Sequence, residues 1–304
     1  MVAVDVNDSD YREFLRYRNI HIEHKEPPTK LMQQATEVIG RSRESPKMND
    51  AAAHELIRTI GRLQTADEDT VNRGLAPNIV PSISQVLEER LESFSNQLWF
   101  RAVTVPVLPD FLDVPSLLLL PRPKPDFVFG FSKLAFTTRQ MGSMLHLVDD
   151  DFEHSYALPD QKTCFPFLVI EFKSQAKKGT HYVATNQTAS AGAIALNGQL
   201  ELMRRSCSAT SLDTNLQRFF SVTIDQVYAK INVHWVAGNP TQGEPYSFHV
   251  KGIAGHFLDS VERARAAADA VENILDYGVN TLLPGICDAL DAYKTAMAAA
   301  RDGL

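Results

Sequence analysis

Asp126, Glu171 and Lys173 combine residue types at a spacing that could carry phosphoryl chemistry. Glu171 and Lys173 lie inside the apolar run Phe165–Lys173 (FPFLVIEFK), and Asp126 follows Pro125 at the head of a second apolar run ending at Gly130. Side chains alternate along a strand. Residues 167, 169, 171 and 173 are therefore expected on one side, with Leu168, Ile170 and Phe172 on the other. A carboxylate and an ammonium at the end of a buried strand are costly unless paired or bound to metal. Two carboxylates can hold a hard divalent cation, Mg²⁺ or Mn²⁺, with a backbone carbonyl and water as further ligands. A nearby lysine can assist hydroxide formation from bound water or stabilise charge on a pentacovalent phosphate.

These residues need particular elements to position them. The run 165–173 is almost continuously apolar, as expected of a strand buried on both faces. Pro121, Pro123 and Pro125 hold the approach to Asp126 extended, so that strand begins at or after Pro125. A helix with a small-residue face is expected over Val183–Arg205. Further strands are expected over Phe219–Ile224, Val227–Val236 and Tyr246–Ile253, and Ala102–Leu108 alternates like another. Ser82-x-x-Gln85 fits a capping box, and Ile83, Leu87, Leu91, Phe94 and Leu98 follow at helical spacing, which predicts a helix over 82–98. Residues 1–80 read as loosely organised helices, with Leu56, Ile57, Ile60 and Leu63 on one face of Ala51–Leu63. Residues 132–164 read as an inserted surface excursion, acidic at Asp149, Asp150, Asp151 and Glu153. Two C-terminal helices are expected, one from about Asp259, with Glu262 completing a capping box, to before Gly278, the other over Pro284–Ala300. The fold class is α/β (α+β mixed sheet): a central mixed sheet flanked by helices, with extra N- and C-terminal helices.

Pro125-Asp126, then a gap, then Glu171-Phe172-Lys173 resembles the PD-(D/E)XK motif of the restriction-endonuclease-like superfamily. The texts PRPKPDFVFGF, FPFLVIEFKSQ and NQTASAGAIAL are similar to fungal proteins that carry such a nuclease-like domain. The resemblance covers roughly residues 80–280. It implies a core of helix, three-stranded meander, helix and further strand. On that pattern Asp126 and Glu171 are metal ligands, the backbone of Phe172 is a third ligand, and Lys173 is the catalytic lysine. The pattern also puts a glutamine, here Gln187, near metal and phosphate, and in some members an extra acidic ligand on the preceding helix, here Glu88. Taken alone, Gln187 reads equally as a packed amide near a helix start, and Glu88 as part of a solvated helix face. The chain divides on this reading into an N-terminal helical extension, 1–80, and a nuclease-like domain, 81–304, whose C-terminal helices occupy 256–304.

The bare string is not selective: Glu23-His24-Lys25 and Asp160-Gln161-Lys162 also match acidic-x-Lys. Only Glu171/Lys173 sits in an apolar strand followed by a helix. The 45-residue gap from Asp126 to Glu171 requires the excursion at 132–164. Lys177, Lys178, His181 and Lys124 are candidate phosphate-binding residues, forming with Arg122 a local basic patch. Arg204 and Arg205 read as favourable charge at a helix C-terminus.

The chain has 304 residues and a net charge of −7, which excludes an indiscriminate polycationic nucleic-acid binder. Cys164, Cys207 and Cys287 are odd in number and widely spaced, with no CxxC, so neither a thiolate zinc site nor a disulfide framework is expected. No Walker A, GxGxxG or GxSxG string is present. The start lacks the features of a secretory signal, and no apolar run is long enough to span a membrane, so a cytoplasmic or nuclear protein without a membrane partner is expected. The leading expectation is a divalent-metal-dependent nuclease hydrolysing phosphodiester bonds of DNA or RNA. The alternative is a catalytically inactive nuclease-like fold that binds nucleic acid or protein, with the acidic insertion as a possible protein-docking segment and an effector role open. DNA versus RNA, endo- versus exonuclease action and oligomeric state stay open.

Overall fold

Every residue of Cys164–Phe172 is buried, as a strand covered on both faces requires. This strand is β4 in the computed structural model, which describes residues 4–45, 47–82, 89–100, 120–149, 154–206, 219–238 and 244–302. In chain order the elements are α1 (Tyr11–Arg16), β1 (Ile20–Ile22), α2 (Thr29–Ile39), α3 (Asp50–Arg62), α4 (Glu68–Ile79), β2 (Leu91–Ser95) and β3 (Phe127–Phe131). Then follow α5 (Thr138–Met144), β4, α6 (His181–Ser206), β5 (Phe219–Ile224), β6 (Tyr228–Ala237), β7 (Ser247–Phe257), α7 (Val261–Tyr277) and α8 (Leu283–Asp302). The strands form one sheet in the order β1-β7-β6-β5-β4-β3-β2. Pairs β2/β3, β3/β4, β5/β6 and β6/β7 are antiparallel, whereas β4/β5 and β1/β7 are parallel. The fold is thus mixed α/β, a central mixed sheet flanked by helices.

A parallel β4/β5 pair needs a crossover, and α6 lies in it. Its Ala-, Ser- and Gly-rich sequence lets the helix lie close to the sheet: a Cβ on Gly192 would collide with the His234 ring. One apolar cluster joins α6 to α1 and the sheet through Leu15, Val128, Val169, Ala189 and Ala193. The larger cluster fills the opposite face with residues of α2, α3, α4, α7 and α8. No helix among the described residues is long and apolar enough to cross a membrane.

Several sequence expectations change here. The helix expected over 82–98 does not extend through its second half: Leu91–Ser95 is an edge strand paired to β3, and Leu98 is exposed. Leu91 and Phe94 pack into opposite clusters, so their helical spacing is coincidental and pairing with β3 decides the conformation. Residues 83–88, with Glu88, and the strand expected over Ala102–Leu108 lie outside the described residues. The N-terminal region is not purely helical, since β1 pairs with β7 at the sheet edge. Nor is it loosely organised: Leu31, Leu56, Val71 and Leu75 are fully buried. Residues 132–164 are not simply a surface excursion. They include α5, capped by a Thr137/Gln140 box, and bury Met144, Leu147 and Ala157. Asp149 is buried as well, and Asp150, Asp151 and Glu153 lie outside the described residues.

Phe167 does not share a side with Glu171. It stacks on Phe131 at 5.1 Å in the larger cluster. The β3/β4 register shifts between Phe129 and Phe131, beside Phe165 at φ 43° and Pro166, which has no N–H to give the ladder. Regular alternation begins at Leu168. At the C-terminus Ser260, not Asp259, caps α7 by accepting from the Arg263 N–H. α7 runs through a single π-helical segment, Gly278–Leu282, directly into α8.

Candidate functional site

The register of β3 on β4 pairs Phe127 with Ile170. One step further along this antiparallel ladder sets Asp126 across from Glu171, where neighbouring Cβ atoms stand about 4.5–5.5 Å apart. Asp126 Oδ2 accepts the Phe172 N–H at 2.7 Å, which fixes the carboxylate at the end of β4. The Lys173 N–H continues the sheet by donating to the Ile224 carbonyl at 2.8 Å. Its ammonium lies 2.9 Å from Glu68 and 3.9 Å from Glu171. The Lys173 and Glu171 side chains are 6% and 5% exposed, whereas that of Glu68 is 46% exposed. The cluster thus opens to solvent at Glu68.

Burial raises the Glu171 pKa well above its usual range, the Asp126 charge adds to this, and Lys173 offsets it only in part. Burial also raises the Asp126 pKa against the opposing effects of the Phe172 N–H and Lys173. Two close carboxylates short of positive charge form a hard-oxygen donor set. Among the described residues no three His, Cys, Asp or Glu side chains are grouped to hold a metal ion. Mg²⁺ characteristically uses one or two carboxylates, several waters and substrate phosphate rather than a complete protein cage, and Asp126 and Glu171 fit that requirement.

Glu68 was not foreseen as part of this group. It opens α4, whose N-cap Asp67 accepts the Thr70 N–H. The loop after β4 and the β5–β6 turn fasten the segment leading into α4: Ser174 Oγ donates to the Ala66 carbonyl at 2.5 Å, and Gln226 Nε2 donates to the Leu63 carbonyl at 3.1 Å. Gln226 Oε1 in turn accepts the Gln175 N–H at 3.2 Å. Asp225 forms the β5–β6 turn by accepting the Val227 and Tyr228 N–H groups, and it also accepts from Gln175 Nε2 at 2.6 Å. Burial raises the Asp225 pKa, but hydrogen bonds from His181, Gln175 and the Val227 N–H outweigh it and hold the group below its usual range. A buried acid and glutamine at a strand turn were the available signal for this support.

The other expected residues divide. His181 Nδ1 lies 2.8 Å from Thr223 Oγ1 and its Nε2 lies 3.2 Å from Asp225. Nδ1 is thus bonded within the protein while Nε2 faces the Asp225 carboxylate, and His181 positions the loop. Lys177 and Lys178 are exposed on that loop, with Lys178 in the left-handed region at φ 63°. Lys124 is exposed close enough to Asp126 to favour its charged form. Gln187 is on α6 with its amide oxygen buried and lacking a hydrogen-bond partner. Arg204 and Arg205 pair with Glu201, in keeping with a helix-end role. Glu88 lies outside the described residues.

No curated protein matches the chain. A family model described as "Domain of unknown function (DUF7924)" matches residues 55–290, which include Glu68, Asp126, Glu171 and Lys173. With most of its length matched, from within α3 to within α8, the chain belongs to the DUF7924 family.

Proposed function

We propose that this protein is a divalent-metal-dependent nuclease of the PD-(D/E)XK type, acting on phosphodiester bonds of DNA or RNA. The observation that carries the reading is the meeting of Asp126, Glu171 and Lys173 at adjoining ends of β3 and β4. The element order supports it: α4, the β2–β3–β4 meander, α6 and the parallel strand β5 follow the restriction-endonuclease-like succession of helix, meander, helix and strand.

Asp126, Glu171 and the Phe172 carbonyl would hold Mg²⁺ or Mn²⁺, with Glu68 at the solvent side. The cation supplies charge at a phosphoryl oxygen and lowers the pKa of a water. Because burial raises the Glu171 pKa, the ion would be held less tightly as pH falls. The Phe172 N–H keeps Asp126 oriented without competing for its second oxygen. Lys173 brings positive charge to the phosphate as negative charge develops, and exchanges part of its contact with Glu68 for the substrate. Lys177, Lys178 and Lys124 add phosphate contacts around the opening.

The test is cleavage of labelled DNA and RNA in Mg²⁺ or Mn²⁺ by wild type, Glu171→Ala and Lys173→Ala. Metal-dependent cleavage by wild type alone is expected. Equal products from all three would refute the assignment. A second reading, a nuclease-like fold that binds without turnover, draws on the Glu68–Lys173 pair, which occupies the lysine. Metal binding by calorimetry without cleavage would favour it.

A further inference from the structure

Beside the candidate active site, Arg12 lies 3.7 Å over the ring of Tyr182, which is 43% exposed. Arg12 Nε donates to Asn186 Oδ1 at 2.9 Å, which holds the guanidinium over the ring. Tyr182 is continuous with the catalytic strands. Glu171 pairs with Thr223 in the β4/β5 register, Thr223 bonds His181, and Tyr182 is the next residue. Arg12 also lines a cavity of about 380 Å³ together with Arg16, His21, Ile22, Glu23 and His24. Glu23, its one acid, is committed elsewhere: it accepts from Lys230 at 2.9 Å and from the Gly252 N–H at 3.0 Å. The cavity is therefore left with positive charge from Arg12 and Arg16.

We infer that Tyr182 with Arg12 is a stacking platform for an unpaired nucleobase, that the Arg12/Arg16 cavity takes an adjoining phosphate, and that the substrate is single-stranded nucleic acid. An aromatic ring backed by a guanidinium and flanked by lysines (Lys177 and Lys178 precede it by a few residues) is the combination that binds a single strand without reading its sequence. Bases paired in a duplex do not offer their faces to such a ring. The inference rests on the nuclease reading for its substrate class, but its test does not require cleavage.

The experiment measures binding of a short fluorescein-labelled oligothymidylate, an oligouridylate and a hairpin duplex to the full chain in EDTA, by anisotropy. Wild type is expected to prefer both single strands to the duplex. Tyr182→Leu is expected to lose about tenfold or more in single-strand affinity, and Tyr182→Phe to keep it. Arg16→Gln is expected to reduce the slope of log affinity against log salt by about 0.7, the value for one phosphate on a single strand. Unchanged circular dichroism in each variant separates these losses from unfolding. Preference for the duplex, or a Tyr182→Leu variant that binds like wild type, would overturn the platform. Single-strand binding that depends on Tyr182, with no metal-dependent cleavage by wild type, would leave the platform standing and remove the nuclease reading. Cleavage by wild type with Tyr182→Leu unaffected would do the reverse.

Discussion

Burial, with the Asp126 charge, raises the Glu171 pKa, which makes its stability effect opposite to that of a salt-bridged acid. Between the ordinary value of 4.5 and its raised folded-state pKa, the native state binds more protons than the unfolded state. Metal-free stability therefore falls as pH rises through that window, and Glu171→Gln removes this loss. Without metal, Glu171→Gln is expected to melt higher than wild type at neutral pH and equally at pH 4. Adding Mg²⁺ should raise the melting temperature of wild type but not of the variant. A wild type no less stable than the variant at neutral pH would contradict the raised Glu171 pKa. Glu68→Gln removes a half-exposed partner of Lys173 and should cost less than about 1 kcal/mol in urea unfolding. A much larger change in cleavage would then report on the site rather than on the fold. Asp126, Glu171 and Lys173 were legible because charges inside apolar runs demand a partner. Glu68 was not, because its place depends on how α4 docks, which no local pattern encodes.

At the scale of elements, the site relies on the loop after β4 and on the closeness of α6 to the sheet. Gln226 is buried and bridges the Leu63 carbonyl to the Gln175 N–H. Gln226→Ala leaves both without this partner and should destabilise the protein by about 1–3 kcal/mol in denaturant unfolding. Cleavage should fall by more than the folded fraction does, because Glu68 and Lys173 lose their common anchor. Gly192→Ala drives a methyl group into the His234 ring, which Ser221 holds at 2.8 Å. An overpacking cost of about 1–3 kcal/mol is expected by the same measurement. β4, α6, β5, β6, β7 and the C-terminal helices were readable from unbroken apolar runs or small-residue faces. β2 was not: its Leu91 and Phe94 satisfy a helical period by chance, and only the neighbouring strand decides. β1 is three residues long and carries no periodicity to read.

For the whole molecule, the N-terminal helices share the larger core with the sheet and with α7 and α8. A fragment beginning at residue 81 would expose the partners of Leu56, Val71 and Leu75 and lack Glu68. It is expected to lose near-ultraviolet circular dichroism, whereas a folded fragment of native stability would show those helices to be dispensable. The net charge of −7 is compatible with a phosphate-binding face because Lys124, Lys177 and Lys178 are exposed on the segments that flank Asp126 and Lys173 in the chain. The measurement that bears most directly on the central claim is nucleic-acid cleavage at neutral pH with Mg²⁺ or Mn²⁺, comparing wild type with Lys173→Ala and Glu171→Ala. The account predicts cleavage by wild type, its loss in EDTA, and its loss in both variants while each remains folded. Cleavage that persists in either folded variant, or a folded wild type with no activity on any DNA or RNA supplied, would contradict it.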